Sequence, residues 1–134
     1  MKGRTIAKVE SWFNTAITAH KQGKLTVAAK WYHKVLEHAP KHADALHLLG
    51  VIANQHSDFK RAKFFIEKAI TINPKPAIFH SNLGNSYRGL NMLQDAEQEY
   101  RKALYLDPKF IDAQRFFMLV KGFKAISKKG GPSP

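Results

Sequence analysis

Prolines recur at a constant spacing in this chain and divide it into units of equal length. Pro40, Pro74 and Pro108 are 34 residues apart each time, in the stretches HAPKHADA, INPKPAIF and LDPKFIDA. The runs between them have helical apolar spacing, and a proline inside a helix removes a backbone hydrogen bond and clashes with the preceding turn. Each proline therefore predicts the end of a helix, and the constant spacing predicts a repeated structural unit.

Small residues recur in phase with the prolines. Gly50 and Gly84 lie in the first half of their units, and Ala28, Ala62 and Ala96 lie in the second half, again 34 residues apart. A position without a bulky side chain lets two helices approach closely. The pattern therefore predicts that each unit folds as a pair of antiparallel helices packed across these small residues.

The repeated unit predicts seven helices joined by short turns. Gly23, Ser57 and Asn91 fall between the two helices of each unit. Gly and Asn tolerate the left-handed conformation that ends a helix, whereas Ser is a poorer choice. Because one unit cannot bury its apolar face alone, neighbouring units are expected to stack. The helices are expected near residues 6–21, 25–38, 43–56, 59–72, 77–90, 93–106 and 111–128.

These residues give the chain a strong resemblance to the tetratricopeptide repeat family over residues 9–110. The second unit reads Leu46-x-x-Leu49-Gly50-x-x-Ala53 and the third reads His80-x-x-Leu83-Gly84-x-x-Tyr87, each followed by its small residue and its proline. The resemblance implies an all-α fold, a right-handed α-solenoid of three helical hairpins with a C-terminal capping helix. The implied divisions are an N-terminal extension (1–8), three repeats (9–42, 43–76 and 77–110), the capping helix (111–128) and a flexible tail or linker (129–134).

The family resemblance also implies a curved trough, lined by the first helix of every pair, in which a peptide or helix of a partner protein is held. The carboxylate clamp of the chaperone-binding subfamily is absent, since only Asn82 matches one of its positions. The second and third units are similar to the arrays of O-linked N-acetylglucosamine transferases, which place Asn where Asn14 and Asn82 lie here, and Leu48 interrupts this series. The partner-binding groove is expected to comprise Phe13, Asn14, Ile17, Leu48, Val51, Ile78, Asn82, Asn85, Phe116, Leu119 and Phe123.

The last predicted helix is apolar over about half of its circumference, wider than the ~100° stripe that one packing face needs. We expect Phe117 and Val120 to face the third repeat, and Phe116, Leu119 and Phe123 to border the trough or protrude. Our hypothesis is that this surface continues an apolar lining suited to an amphipathic helix of a partner. The alternatives are that the chain is the front part of a longer array, or that two copies dimerise through this helix.

The sequence contains no pattern typical of catalysis or metal binding. There is no cysteine, no Gly-rich phosphate loop and no Gly-x-Ser-x-Gly elbow. Pro40 separates His38 from His42, and the other histidines are isolated, so all are interpreted as surface residues. The acidic residues at 95, 97 and 99 are interpreted as a solvated outer surface. We therefore predict a non-enzyme without cofactor, metal or catalytic residues.

The composition limits the remaining classes of function. A net charge of +12 favours acidic partners, including nucleic acid. RNA-binding pentatricopeptide repeats, however, have a period of 35 and lack the helix-ending proline, so nucleic acid is the less favoured partner. No signal peptide and no run of ~18 apolar residues is present, and together with the absence of cysteine this favours a cytoplasmic protein. The sequence thus predicts a scaffold or adaptor for protein partners, or the adaptor region of a larger enzyme such as a glycosyltransferase.

Overall fold

A computed structural model describes residues 2–129 and places them in seven α-helices, with no strand in that range. The expected helices are confirmed, and only the start of the first one differs by more than one residue. α1 begins at Lys2 because residues 2–8 contain no helix-breaking proline, so the predicted N-terminal extension is helical from Lys2 onward. Lys129, the first residue of the predicted tail, is the last residue of α7. The other residues of the predicted tail lie outside the described range. The helices are α1 (Lys2–Lys21), α2 (Leu25–His38), α3 (Ala43–Gln55), α4 (Phe59–Ile72), α5 (Ala77–Gly89), α6 (Leu93–Leu106) and α7 (Ile111–Lys129).

The helices pack as three hairpins followed by a single helix. α1 packs on α2, α3 on α4 and α5 on α6, and successive hairpins join through α2 and α3, α4 and α5, and α6 and α7. The first helices of successive pairs also touch, since α3 contacts α5 and α5 contacts α7. This is the right-handed α-solenoid that the family resemblance implies, and the first helices lie on the side where the resemblance places the trough. Within residues 2–129, none of the helices has both the length and the apolar character that a membrane span requires.

The recurrent glycines are needed where the two helices of a pair cross. A Cβ atom built on Gly84 would lie 2.5 Å from Cε1 of Tyr100, and one built on Gly50 would collide with the side chain of Ile66. The matching alanines of the second helices are fully buried. Close helix approach at the small positions is therefore confirmed.

The buried apolar residues form three clusters, and each cluster joins neighbouring helices. Tyr32 and Val35 are fully buried between α1, α2 and α3, and Phe79 joins the second repeat to the third. Val120 of α7 is fully buried against Tyr100 of α6. Because α7 covers the last hairpin in this way, it acts as the expected capping helix.

The turns inside the three hairpins share one backbone conformation. Gly23, Ser57 and Asn91 have φ angles of 77°, 60° and 60°. In the second hairpin the Asp58 N–H donates to the Ala53 carbonyl at 2.8 Å and the Ser57 N–H donates to the Asn54 carbonyl at 3.0 Å. This pair of hydrogen bonds is the Schellman motif, which requires a left-handed residue.

Ser57 should be the least favourable of the three turn residues, and replacing it with glycine should stabilise the protein. A side chain in the left-handed region costs about 1 kcal/mol, which Ser57→Gly would remove. We expect the free energy of unfolding to rise by about 0.5–1 kcal/mol in urea denaturation. The matched variant Gly23→Ser should lower it by a similar amount, and an unchanged or lower stability of Ser57→Gly would contradict this account.

Candidate partner-binding trough

The inner wall begins with apolar side chains that are half-buried against the first part of the core. Phe13, Ile17 and Leu48 all pack on the core between α1, α2 and α3. The centroid of the Phe13 ring lies 4.6 Å from that of His42. Val51, one turn after Leu48, is half-buried as well. The core thus holds these side chains in place while leaving part of each available at the surface.

A directional chain of hydrogen bonds crosses the middle of the wall from α6 to α3. The Tyr100 hydroxyl donates to Asn85 Oδ1 at 2.6 Å, and Asn85 Nδ2 donates to Asn82 Oδ1 at 3.2 Å. Asn82 Nδ2 donates in turn to His47 Nε2 at 2.8 Å. Both polar atoms of the Asn82 amide therefore have partners inside the chain, and a peptide backbone that reached Asn82 would compete with them.

His47 can accept this hydrogen bond because it is buried as a neutral imidazole. Only 4% of the residue is exposed, and its ring stacks on Phe79 with the centroids 4.4 Å apart. Burial lowers the pKa of His47 from 6.5 to about 4, and the neighbouring His20 acts in the same direction. At neutral pH Nδ1 carries the proton and Nε2 accepts from Asn82. The interpretation of every histidine as a surface residue is therefore wrong for His47.

Further hydrogen bonds tie the first helices to one another. The Ser86 hydroxyl donates to Asn54 Oδ1 at 3.0 Å, and Asn54 Nδ2 donates to the Asn82 carbonyl at 3.1 Å. In the first half of the trough, His20 Nε2 donates to Gln55 Oε1 at 2.9 Å. Within residues 2–129, each buried side-chain nitrogen or oxygen has a hydrogen-bond partner. The wall is therefore a connected surface and not a row of independent side chains.

The end of the wall on α7 is apolar, and only part of it is buried. Phe117 and Val120 pack against the third repeat, as expected. Phe116 packs there too, with the guanidinium of Arg88 4.5 Å from the centroid of its ring, so it is half-buried. Leu119 and Phe123 are 39% and 45% exposed. These two side chains are the part of the predicted α7 surface that is open to a partner.

The remaining two predicted residues lie near the margins of the wall. Asn14 is exposed on α1, in a shallow groove that Ser11, Thr15 and Thr18 also line. It lies two first helices away from Asn82, with α3 between them. Ile78 is 48% exposed in the first turn of α5. The structure thus brings Asn82 and Asn85 together with His47, but it does not bring Asn14 to them.

A cluster of titratable groups lies between α5 and α6, in which His80 and Glu99 are buried and Lys102 is exposed. His80 Nδ1 is 3.0 Å from Glu99 Oε1, His80 Nε2 donates to the Pro74 carbonyl at 2.8 Å, and Lys102 Nζ donates to Glu99 Oε2 at 2.9 Å. The hydrogen bond to Glu99 raises the pKa of His80, although burial opposes it. Burial acts to raise the pKa of Glu99, but the hydrogen bonds from His80 and Lys102 outweigh it and lower that pKa.

This cluster corrects two expectations from the sequence. His80 is buried, so the surface interpretation is wrong for this histidine as it is for His47. Glu99 is buried rather than solvated, and Glu97 binds Arg101 at 3.3 Å and Lys124 of α7 at 2.5 Å. The sequence predicts a solvated outer surface for the acidic residues at 95, 97 and 99, but Glu99 points inward and Glu97 points towards α7.

Sequence reasoning missed the part that Tyr100 plays in the wall, although a signal was present. Asn85 holds the repeat position of Ile17 and Val51, while Tyr100 holds that of Tyr32 and Ile66. A tyrosine at this position of the second helix is the signal, because in the first hairpin the Tyr32 hydroxyl likewise forms a hydrogen bond to a first-helix side chain, with His20 Nδ1 at 3.1 Å. Within the described range no group of three or more histidine, aspartate or glutamate side chains could hold a metal ion.

Comparison with family models gives a direct match to two of the repeats. One model described as tetratricopeptide repeat matches residues 43–76, and another with the same description matches residues 77–110. Together the two matches cover half of the chain, and their limits coincide with the second and third hairpins.

Known proteins with similar sequences are much longer than this chain. A protein O-mannosyl-transferase of Caenorhabditis elegans is 34% identical over 83 residues, which are 62% of this chain and 12% of that protein. The peroxisomal targeting signal receptor of Saccharomyces cerevisiae is 32% identical over 66 residues, or 49% of this chain and 11% of the receptor. The chain therefore spans a small part of the length of either relative.

Solved structures contain the same arrangement of helices. A mutant of the O-GlcNAc transferase of Thermobaculum terrenum superimposes with a TM-score of 0.85 and 25% identity, over 87% of this chain and 22% of that one. The likeness covers nearly the whole solenoid described above.

Proposed function

Because the chain belongs to the tetratricopeptide repeat family, whose arrays are protein-interaction modules, we propose that its trough binds a peptide or an amphipathic helix of another protein. The binding surface runs from Phe13, Ile17 and Val51 to Leu119 and Phe123, and the polar wall around Asn82 lies between these two apolar parts. The similarity to a receptor named for a targeting signal supports a peptide as the ligand. The chain itself is proposed to be non-catalytic.

The exposure of Leu119 and Phe123 is the observation that carries this proposal. Both are large apolar side chains on a helix whose neighbouring Val120 is fully buried. Covering such surface gains roughly 25 cal/mol for each Å² removed from water. The Lys124 to Glu97 ion pair and the packing of Phe117 hold α7 on α6, whereas Leu119 and Phe123 each leave more than a third of their surface exposed. The exposed parts of these two side chains are therefore available for binding.

The hydrogen-bonded middle of the wall would give the trough its shape before a partner arrives. A surface that is already ordered loses less conformational entropy on binding, which favours affinity. The partner that fits best has apolar side chains towards both ends of its bound segment and polar groups between them. Its apolar ends would contact Ile17 and Val51 on one side and Phe123 on the other.

Replacing Leu119 and Phe123 together with serine should abolish partner binding without unfolding the protein. We expect at least about a tenfold loss of affinity, since two apolar contacts of roughly 1.5 kcal/mol or more are removed. Partners captured from the source cells with the unchanged protein would be identified, and their binding to both forms measured by calorimetry. Circular dichroism and the melting temperature should stay the same.

A matched control is provided by exposed apolar residues on the second helices. Phe64 on α4 and Tyr105 on α6 are 56% and 88% exposed, so serine at both positions removes comparable apolar surface outside the trough. This control variant should bind as the unchanged protein does. If the Leu119 and Phe123 variant keeps its affinity, or if the control loses as much, the trough is not the site.

The alternative proposal is that this chain is the adaptor region of a larger enzyme such as a glycosyltransferase. Two of the similar proteins carry transferase names, and the chain spans only a small part of each. Antibody detection in the source cells separates the proposals, because a self-standing module has a mass near 15.2 kDa. A much larger polypeptide would favour the adaptor role, and the trough would then bind the protein substrate of the enzyme.

A further inference from the structure

A second apolar surface lies on α7, on the side turned away from α6. Ile111, Met118 and Ile126 are 66%, 65% and 68% exposed. Their spacing of seven and eight residues places them on one side of the helix. Gly122 lies between Met118 and Ile126, and a Cβ atom at Gly122 would meet no other atom within 4 Å. We call the surface formed by these four residues the end face.

Among residues 2–129, the opposite end of the solenoid lacks such a surface. The first helix of an inner repeat uses apolar residues to pack on the preceding repeat, and α1 has polar residues at the corresponding positions. These positions hold Ser11, Thr15 and Thr18 in α1, all exposed, and Ala45, Leu49 and Ile52 in α3, all buried. The first edge is therefore suited to water, whereas the end face exposes an apolar row that water solvates poorly.

Met118 excludes one way of covering the end face. It lies at the repeat position of Gly50 and Gly84, where the second helix of a hairpin crosses so closely that a Cβ atom would collide. A helix packed on α7 in the manner of α4 on α3 would meet the Met118 side chain. A helix covering the end face must therefore lie farther from α7, and Gly122 leaves space beside Met118 for its side chains.

The charges around the end face select the chemistry of that helix. Arg115 and Lys121 are exposed and lie three residues before and after Met118, one on each side of it. Asp112 is the only acidic residue of α7, and the whole chain carries +12. A second copy of the chain would bring like charges together, whereas an acidic helix would complement them.

We propose that the end face binds an amphipathic helix of a partner protein whose apolar stripe is bordered by aspartate or glutamate. Ile111, Met118 and Ile126 contact the stripe, and Arg115 and Lys121 pair with the bordering carboxylates. The surface adjoins the trough but does not depend on it, so this inference stands whether or not the trough holds a peptide.

Two synthetic helices test the proposal with the full chain. Both have about the length of α7, which is 19 residues, and the same leucine stripe, bordered by glutamate in one and by lysine in the other. We expect the glutamate peptide to bind at least about tenfold more tightly in fluorescence anisotropy at low salt. The difference should shrink as salt screens the exposed charges. Equal affinity of the two peptides would overturn the proposal.

Variants locate the binding surface. Met118→Ser with Ile126→Ser should weaken the glutamate peptide about tenfold, and Arg115→Glu with Lys121→Glu should reverse the preference between the peptides. Ile6→Ser is the matched control, because Ile6 is 58% exposed on α1 at the other end of the solenoid. If instead the Leu119 and Phe123 variant alone weakens the peptide, the peptide sits in the trough and the end face is not its site.

Two further measurements decide between the proposed helix and other occupants. Sedimentation should give a monomer, and a dimer lost in the Met118 and Ile126 variant would identify a second copy as the occupant. Vesicles of phosphatidylserine should compete poorly with the glutamate peptide. The proposal would be overturned if the protein bound these vesicles through the end face and did not bind the peptide. All substituted side chains are exposed, so unchanged melting temperatures confirm that the variants fold.

Discussion

Replacing His80 with leucine is expected to lower the free energy of unfolding by about 3 kcal/mol at neutral pH, because it leaves a buried carboxylate without its main partner. Glu99 is 8% exposed and would keep only the Lys102 ammonium. The Pro74 carbonyl would also lose its donor. Urea denaturation followed by circular dichroism measures the loss.

The double variant His80→Leu with Glu99→Leu is the control for this mechanism. It removes the buried charge together with its partner, so it should be more stable than His80→Leu alone. If the double variant is instead less stable than His80→Leu, the loss of stability comes from poorer packing. It does not then come from the buried carboxylate that has lost one of its partners.

The effect of His80→Leu should also depend on pH. The raised pKa of His80 means that its contribution is fully present below its unfolded pKa of 6.5 and is lost as the pH rises through the folded value. The lowered pKa of Glu99 means that its contribution is present above its unfolded pKa of 4.5 and is lost as the pH falls through the folded value. The difference in the free energy of unfolding between the unchanged protein and His80→Leu should therefore be largest between pH 4.5 and pH 6.5. It should become smaller at lower and at higher pH.

His47 is expected to make the protein less stable in acid. Its pKa is 6.5 when unfolded and about 4 when folded, so between these values the unfolded chain binds the extra proton. The contribution of His47 to the free energy of unfolding is intact above pH 6.5. It decreases by about 1.4 kcal/mol for each pH unit as the pH falls to about 4, which gives a total loss of roughly 3 kcal/mol. The physical reason is that burial penalises the charged imidazolium, and the neighbouring His20 acts in the same direction.

Replacing His47 with glutamine isolates this effect. Glutamine can accept from Asn82 Nδ2 but does not titrate, and the lost stacking on Phe79 should cost about 1 kcal/mol at neutral pH. We expect the stability of the unchanged protein to approach and then fall below that of His47→Gln between pH 6.5 and 4, as measured by urea denaturation. The contribution of His80 has the opposite sign but is common to both proteins. Parallel stability curves over this range would contradict the prediction.

Most of the fold could be predicted from the sequence, because it depends on local features that repeat. Proline, a small residue and a turn residue recur in phase, and each has a direct effect on the backbone or on helix approach. The expected helix limits are therefore confirmed almost throughout. The predicted start of α1 was wrong by four residues, because residues 2–8 precede the first repeat and no repeated residue marks a boundary there.

The candidate site could be predicted only in outline. The repeat position assigns Asn14 and Asn82 to the same role, but Asn82 has α3 beside it and Asn14 lies at the free edge. Phe116 was expected at the border of the trough, yet Tyr100 and Arg88 provide a partner for its ring. Position within a repeat thus predicts which way a side chain points, and the neighbouring repeat determines what it meets.

The 34-residue period was enough to predict three helical hairpins that stack on one another, and the family resemblance implied the right-handed solenoid and its trough. Burial and hydrogen bonding of individual polar residues depended instead on contacts between helices far apart in the sequence. His47 and His80 are both isolated histidines in the sequence, but burial lowers the pKa of His47 whereas the hydrogen bond to Glu99 raises the pKa of His80. Such pKa shifts depend on the burial of a side chain and on its partners on other helices, and the spacing of residues along the chain does not determine either of them.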